Sequence, residues 1–165
     1  MMSRQDQKGI TMIEMMVVLA IVGVLVTIAI PNYQAWVSDQ NLRSSMVQLA
    51  GDLQIARMTA INRNAPITVS FAPADSPYTI FVDTARDLTY DGIEEVLPNL
   101  RRKPLNARVT ISQVDFNGGQ AFLFNGRGMR GSPTAGNALV VLQNDRGKQY
   151  QINVTLVGDV NVAAP

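Results

Sequence analysis

Hydrophobic and polar positions follow three rhythms along the chain, and each predicts a different element. From Ile10 to Ile30 the residues are almost unbroken apolar, ITMIEMMVVLAIVGVLVTIAI. That length is close to the roughly 20 residues a helix needs to cross a hydrocarbon core. Beyond Pro31 an amphipathic rhythm takes over. Leu42, Met46, Leu49, Leu53, Ala56 and Ala60 recur at helical spacing, while Arg43, Gln48, Gln54 and Arg63 fall on the opposite face. Back-extrapolation of the stripe reaches Asp39 and Ala35, so residues 32–41 are expected to protrude from the head and 42–62 to pack on it. The segment Asn62-Arg63-Asn64-Ala65-Pro66 should end the helix. A helix from Ile10 to Asn62 would reach about 80 Å if straight.

After Pro66 the period becomes two. Ile67, Val69 and Phe71 alternate with Thr68 and Ser70, and Tyr78–Val82 follows as a hairpin partner across residues 72–77. Further strands are expected at 109–116, 120–124, 138–142 and 149–157, with a short last one at 160–162. Gly118-Gly119, Gly126, Gly128, Gly131, Gly136 and Gly147 mark the turns. The predicted fold class is α+β: one long N-terminal hydrophobic helix, kinked near Pro31, packed on an antiparallel β-sheet domain.

Composition narrows the chemistry. The chain has 165 residues, a net charge of +1, no histidine and no cysteine. Disulfides, thiolate metal sites, cysteine nucleophiles and histidine acid–base catalysis are therefore excluded. Near neutrality removes any global pull towards nucleic acid or acidic lipid. No nucleophile motif or phosphate loop accompanies the serines and carboxylates, and Gly126-Arg127-Gly128 lacks the strand–helix context of a dinucleotide site. No active site, cofactor or metal site is assigned, and the chain is not expected to be an enzyme.

Arg4 and Lys8 precede the apolar run and favour a cytoplasmic amino terminus, with the residues after Pro31 across the membrane. A secretory signal peptide would place small residues at a cleavage site after the run, but the run ends Ala29-Ile30-Pro31. A plain anchor leaves Glu14 without a purpose. A carboxylate in a span costs a few kcal/mol by insertion scales, so it is usually there for a reason.

The residues Lys8-Gly9-Ile10-Thr11-Met12-Ile13-Glu14 resemble the class III signal of type IV prepilins. That resemblance implies cleavage after Gly9 by prepilin peptidase, N-methylation of Ile10, and retention of the apolar run as an anchor. It divides the chain into a leader (1–9), a transmembrane and filament-core helix (10–30), an amphipathic continuation (31–62) and a β-rich periplasmic pilin head (63–165). In a filament, Glu14 would pair with the Ile10 amino group of an adjacent subunit. An unpaired charge is strongly disfavoured in a low-dielectric core, so the pair would select one axial register.

The phrases Leu49-Ala50-Gly51-Asp52-Leu53-Gln54-Ile55-Ala56-Arg57 and Ala60-Ile61-Asn62-Arg63-Asn64 extend the resemblance. With Phe124-Asn125-Gly126-Arg127-Gly128 and the strands ending at Gly158, they resemble the GspH/FimT family of minor pilins and pseudopilins. The implied function is a minor pilin that primes assembly of a type IV pilus. Its implied partners are other pilin subunits, prepilin peptidase and an inner-membrane assembly platform. The implied location is the bacterial inner membrane and then the filament. Pro31-Asn32-Tyr33 looks more like type IV pilus subunits; a type II secretion pseudopilin is the close alternative, and a FimT-like DNA-uptake pilin another.

Two charged groups invite other readings. Asp83, Asp87, Asp91, Glu94 and Glu95 supply oxygen ligands of the kind calcium takes, but not at EF-hand spacing and with Arg86 among them, so a solvated loop is favoured. Arg101, Arg102, Lys103 and Arg108 form one basic patch, and Arg127 with Arg130 another. These are candidates for DNA or partner contact, although no aromatic residues interleave with them. Some FimT-like proteins take up DNA through a basic tail. Here the tail after Gly158 carries Asp159 and no cation.

Overall fold

The structure, a computed structural model, describes residues 10–71, 77–97, 105–132 and 138–163. One helix, α1 (Met12–Arg63), precedes eight strands: β1 (Ile67–Ser70), β2 (Thr79–Val82), β3 (Val109–Phe116), β4 (Ala121–Phe124), β5 (Arg130–Ser132), β6 (Ala138–Asn144), β7 (Gln149–Val154) and β8 (Val160–Ala163). The chain divides into two compact units, one up to Val37 and one from Ser38 onward. In the first, α1 runs on through Pro31, and every described residue from Ile10 to Gln34 is exposed.

The second unit is the head. Its strands form the expected antiparallel β-sheet domain, divided into two sheets of four ordered β2-β1-β4-β5 and β3-β6-β7-β8. An aromatic chain joins them. Phe116 of the second sheet lies 4.8 Å from Phe122 of the first and 5.5 Å from Phe71, and Phe122 meets Phe124 edge-on at 5.1 Å. Ile67, Val69 and Ile80 from one sheet, Val140, Leu142 and Ile152 from the other, and Leu42, Leu49 and Leu53 from α1 complete a single core.

The face of α1 buried in the head is not purely apolar. It comprises Ser38, Leu42, Ser45, Leu49, Asp52, Leu53, Ala56 and Ala60. Ser38, Ser45 and Asp52 recur every seventh residue, and each has a partner, as burial of a polar group requires. Ser38 donates to Asp145, Ser45 accepts from the Asn106 amide at 3.1 Å, and Asp52 accepts from the Tyr78 hydroxyl at 2.6 Å. Docking therefore begins at Ser38, which corrects the expectation that residues up to 41 protrude. The apolar stripe fades before Leu42, and hydrogen bonds continue it. Asp39 adds contacts to Lys148 and Asn144 at 2.8 and 3.1 Å. The Lys148 ammonium holds the Asp39 carboxyl below its ordinary range and is itself pushed up by that carboxylate.

The helix ends as its sequence suggests, with one residue added. Asn64 takes φ of 47°, its amide bonds to the Ile61 carbonyl, and the Ala65 amide bonds to the Ala60 carbonyl. This is a Schellman closure with asparagine in the left-handed position and Pro66 beyond it.

In the first sheet the alternation of β1 does not mark a solvent face, because all four of its residues are buried. Ile67 and Val69 face the core with Ile80, Phe122 and Phe124, as register requires. The opposite face is covered by the segment 83–97. The Asp83 carboxylate there accepts from Thr68 Oγ1 at 2.8 Å and from the amides of Arg86 and Leu88 at 2.6 and 3.0 Å. Residues 95–97 also lie along the outer edge of β2, through Val82 N to Glu95 O at 2.9 Å and a Phe81–Val96 bridge. An edge that would otherwise offer unpaired backbone is thereby closed.

Candidate functional site

At the start of α1 the chain builds a cap. Thr11 precedes the first helical residue, and its Oγ1 accepts from the Glu14 amide at 3.3 Å. Thr11-x-x-Glu14 is the spacing of a capping box, with an acidic side chain in the first turn, where the helix dipole favours negative charge. Glu14 thus has a local role in addition to any in assembly. The capping spacing was readable from residues 11 and 14, but the apolar run around them drew the sequence reading to membrane energetics. Ile10 and the side chains through Ile30 project outward with no packing partner among the described residues. By length and composition this helix is long and apolar enough to cross a membrane. Gly9 lies outside the described residues.

A second constellation joins the far end of α1 to two turns. Arg57 reaches across with three nitrogens: Nε donates to Gly128 O at 2.9 Å, one terminal nitrogen to Asp159 at 2.8 Å and the other to Val157 O at 2.9 Å. The first turn is tied by Asn125, whose side-chain oxygen accepts from the amides of Arg127 and Met129. Gly126 presses on the helix end so closely that a Cβ there would sit 2.3 Å from Asn64 Oδ1. Gly158, in the second turn, has φ of +87°, and a Cβ there would come within 2.0 Å of Gly128 O. The phrases around Arg57, Asn125 and Gly158, far apart in sequence, are therefore one clasp.

The charged groups are dispersed rather than gathered. Asp83 is taken up by its loop, Asp87 and Asp91 accept from the amides of Thr89 and Ile93, and Glu95 pairs with Arg63 at 2.9 Å. Among the described residues no three acidic side chains converge in a way that would hold a metal ion. Arg101, Arg102 and Lys103 lie outside the described residues. Arg108 is 3.7 Å from Asp145. Arg127 is exposed, whereas Arg130 is only 4% exposed and burial lowers its pKa, so these two do not present one basic surface.

Comparison with known proteins addresses both constellations. Residues 4–30 match the prokaryotic N-terminal methylation motif, and residues 46–158 match the family described as Type II transport protein GspH. The chain belongs to the GspH family. Within it, this member is similar to the pilin-like protein PilA1 of Thermus thermophilus, 32% identical over 131 residues covering 77% of this chain and 81% of that one. It is also 38% identical over 74 residues to a fimbrial protein of Pseudomonas aeruginosa, covering 45% of this chain and 47% of that one. It thus spans about half the length of that relative. Among solved structures, the GspH-family chain superimposes on the minor pseudopilin EpsH of Vibrio cholerae with a TM-score of 0.56 at 13% identity, covering 76% of this chain and 98% of the other. The minor pilin FimU of Pseudomonas aeruginosa gives 0.53 at 15% identity, with 75% and 97% covered. Both likenesses are of fold, and they agree with the α+β pilin-like architecture predicted from the sequence.

Proposed function

We propose that this GspH-family chain is a minor pilin, a structural subunit that is processed at the membrane and built into a type IV pilus. The observation that carries the reading is the exposed apolar helix of residues 10–30, with Glu14 in its first turn and a methylation motif over it. In this reading prepilin peptidase removes residues 1–9 and methylates Ile10. The run then anchors the chain in the inner membrane with its head in the periplasm, and Pro31 allows the helix to bend. An assembly platform extracts the subunit, and neighbouring pilin helices cover the apolar surface that the isolated chain leaves open. Burial of such surface is worth about 25 cal/mol per Å², so the exposed helix supplies a large drive for either membrane or filament. The Glu14 carboxylate would pair with the methylated amine of an adjacent subunit. A pseudopilin of a type II secretion system is the second reading, favoured by the family description and by the EpsH fold likeness.

Mass spectrometry of the mature protein should give an N-methylated Ile10 terminus. A chain recovered with residues 1–9 intact from cells with active prepilin peptidase would overturn the processing step. Glu14→Ala is expected to leave cleavage unchanged and to cut incorporation into sheared filaments at least tenfold. Normal incorporation would remove Glu14 from the mechanism.

A further inference from the structure

We propose that a cleft at one end of the first sheet binds a neutral saccharide of one or two rings. Its floor is the row Thr79, Ser70 and Ala121, which register places side by side across β2, β1 and β4. Its walls include Asp87 and Tyr90 on one side and Gln120 on the other, and its volume is about 450 Å³. That lies within the range of small-molecule sites.

Two features of the floor point to a ligand. Ser70 and Thr79 are 8% and 2% exposed, both line the cleft, and neither hydroxyl has a hydrogen-bond partner among the described residues. Neither hydroxyl is among the buried atoms that lack a partner, so both are reached by solvent from the cleft and keep free hydrogen-bonding capacity there. Here two lie adjacent in a recess open to solvent, where an incoming group can complete them. The backbone beneath them is already committed. β1 lies between β2 and β4, so an extended peptide has no unpaired ladder to join at this floor. Recognition must therefore pass through side chains.

Those side chains have a consistent chemistry. Hydroxyls both donate and accept, the Gln120 amide does the same, and the Asp87 carboxylate accepts only. Among the described residues no cation lines the cleft, so Asp87 disfavours anionic ligands. Tyr90 supplies an aromatic ring, itself held by Phe81 at 5.3 Å. An aromatic surface for C–H faces beside a ring of mixed donors and acceptors suits a polyhydroxylated ring. The Gln120 backbone is fixed because its carbonyl accepts from the Phe71 amide at 2.9 Å, which places the side chain at the rim.

The test uses the full-length chain in a zwitterionic, sugar-free detergent, with lactose, maltose and N,N′-diacetylchitobiose as probes in saturation-transfer difference NMR. Transfer to at least one probe is expected. Thr79→Val keeps the shape and removes the hydroxyl, and should weaken that binding about tenfold, the effect of roughly one lost hydrogen bond. Asp87→Ala, at an exposed position whose side chain accepts only the Thr89 amide among the described residues, should do the same in a variant whose melting midpoint matches wild type. Absence of transfer from all three probes at 10-millimolar order would mean that water alone fills the cleft and would overturn the proposal. Unchanged binding in Asp87→Ala, or in a folded Thr79→Val, would also overturn it. Neither substitution touches the apolar helix, so filament incorporation should stay normal.

Discussion

At Gly158 the backbone turns through φ of +87° directly against the Gly128 carbonyl. Any side chain there meets two penalties, a left-handed conformation and a clash with backbone that cannot swing aside. It would also push Gly128 O away from Arg57 Nε, now 2.9 Å distant, and unfasten the clasp. Gly158→Ala is therefore expected to lower head stability by about 2–4 kcal/mol, at the severe end for a single substitution. Arg57→Ala, which removes the bonds without the clash, should cost less. Thermal melting of the two variants checks the order, and a Gly158→Ala melt equal to wild type would show that the turns part freely. The roles of Arg57 and Gly158 could not be read from the residues alone. The resemblance of their surrounding phrases to one family marked both, but only the fold brings positions 57, 128 and 158 together.

At the scale of elements, legibility followed hydrophobicity. The apolar helix, its amphipathic continuation and most strands were visible because each carries a clear period. Three features were not. Ser38, Ser45 and Asp52 dock α1 through hydrogen bonds, and a polar residue gives no periodic apolar signal. Strand β5, Arg130-Gly131-Ser132, has no β-type pattern and pairs through its backbone with Leu123 and Phe124. The burial of both faces of β1 depends on a distant segment folded over Thr68. The Asp52–Tyr78 bond offers a measurable consequence. Burial, and then the Asp52 carboxylate, pushes the Tyr78 phenol well above its ordinary value of about 10. The folded state thus resists ionisation that the unfolded chain undergoes. Stability from this group is complete below about pH 10 and is lost as pH rises from there towards the folded pKa. Tyr78→Phe should cost about 1.5–3 kcal/mol at neutral pH, as expected for a hydrogen bond to a charged acceptor. It should also flatten the alkaline loss of stability relative to wild type. Melting curves between pH 7 and 11 would decide, and parallel pH profiles for the two proteins would refute the assignment.

For the molecule as a whole, the division at Ser38 separates two different solutions to the hydrophobic problem. The head closes its own core, with helix, two sheets and the covering segment 83–97 contributing from within residues 38–163. The first unit buries almost nothing of its own. From Ile10 to Ile30 its large apolar side chains are all substantially exposed, a contiguous surface that soluble monomers rarely leave uncovered. That contrast was legible in the sequence because composition alone, without any knowledge of contacts, changes sharply at Pro31. What composition did not give was the residue at which self-sufficiency begins, since Ser38 and Asp39 dock by polar contacts. If the two solutions are independent, a chain covering residues 34–165 should be monomeric in water without detergent. Its near-ultraviolet circular dichroism should match that of the full chain, and its melting midpoint should lie within a few degrees of it. Starting instead at Leu42 deletes Ser38 and Asp39 with their bonds to Asp145, Asn144 and Lys148. That shorter chain should melt distinctly lower although every apolar core residue of α1 remains. Equal midpoints for the two truncations would show the polar seam to be incidental. Aggregation of the longer one in water would show instead that the head needs the apolar helix to fold.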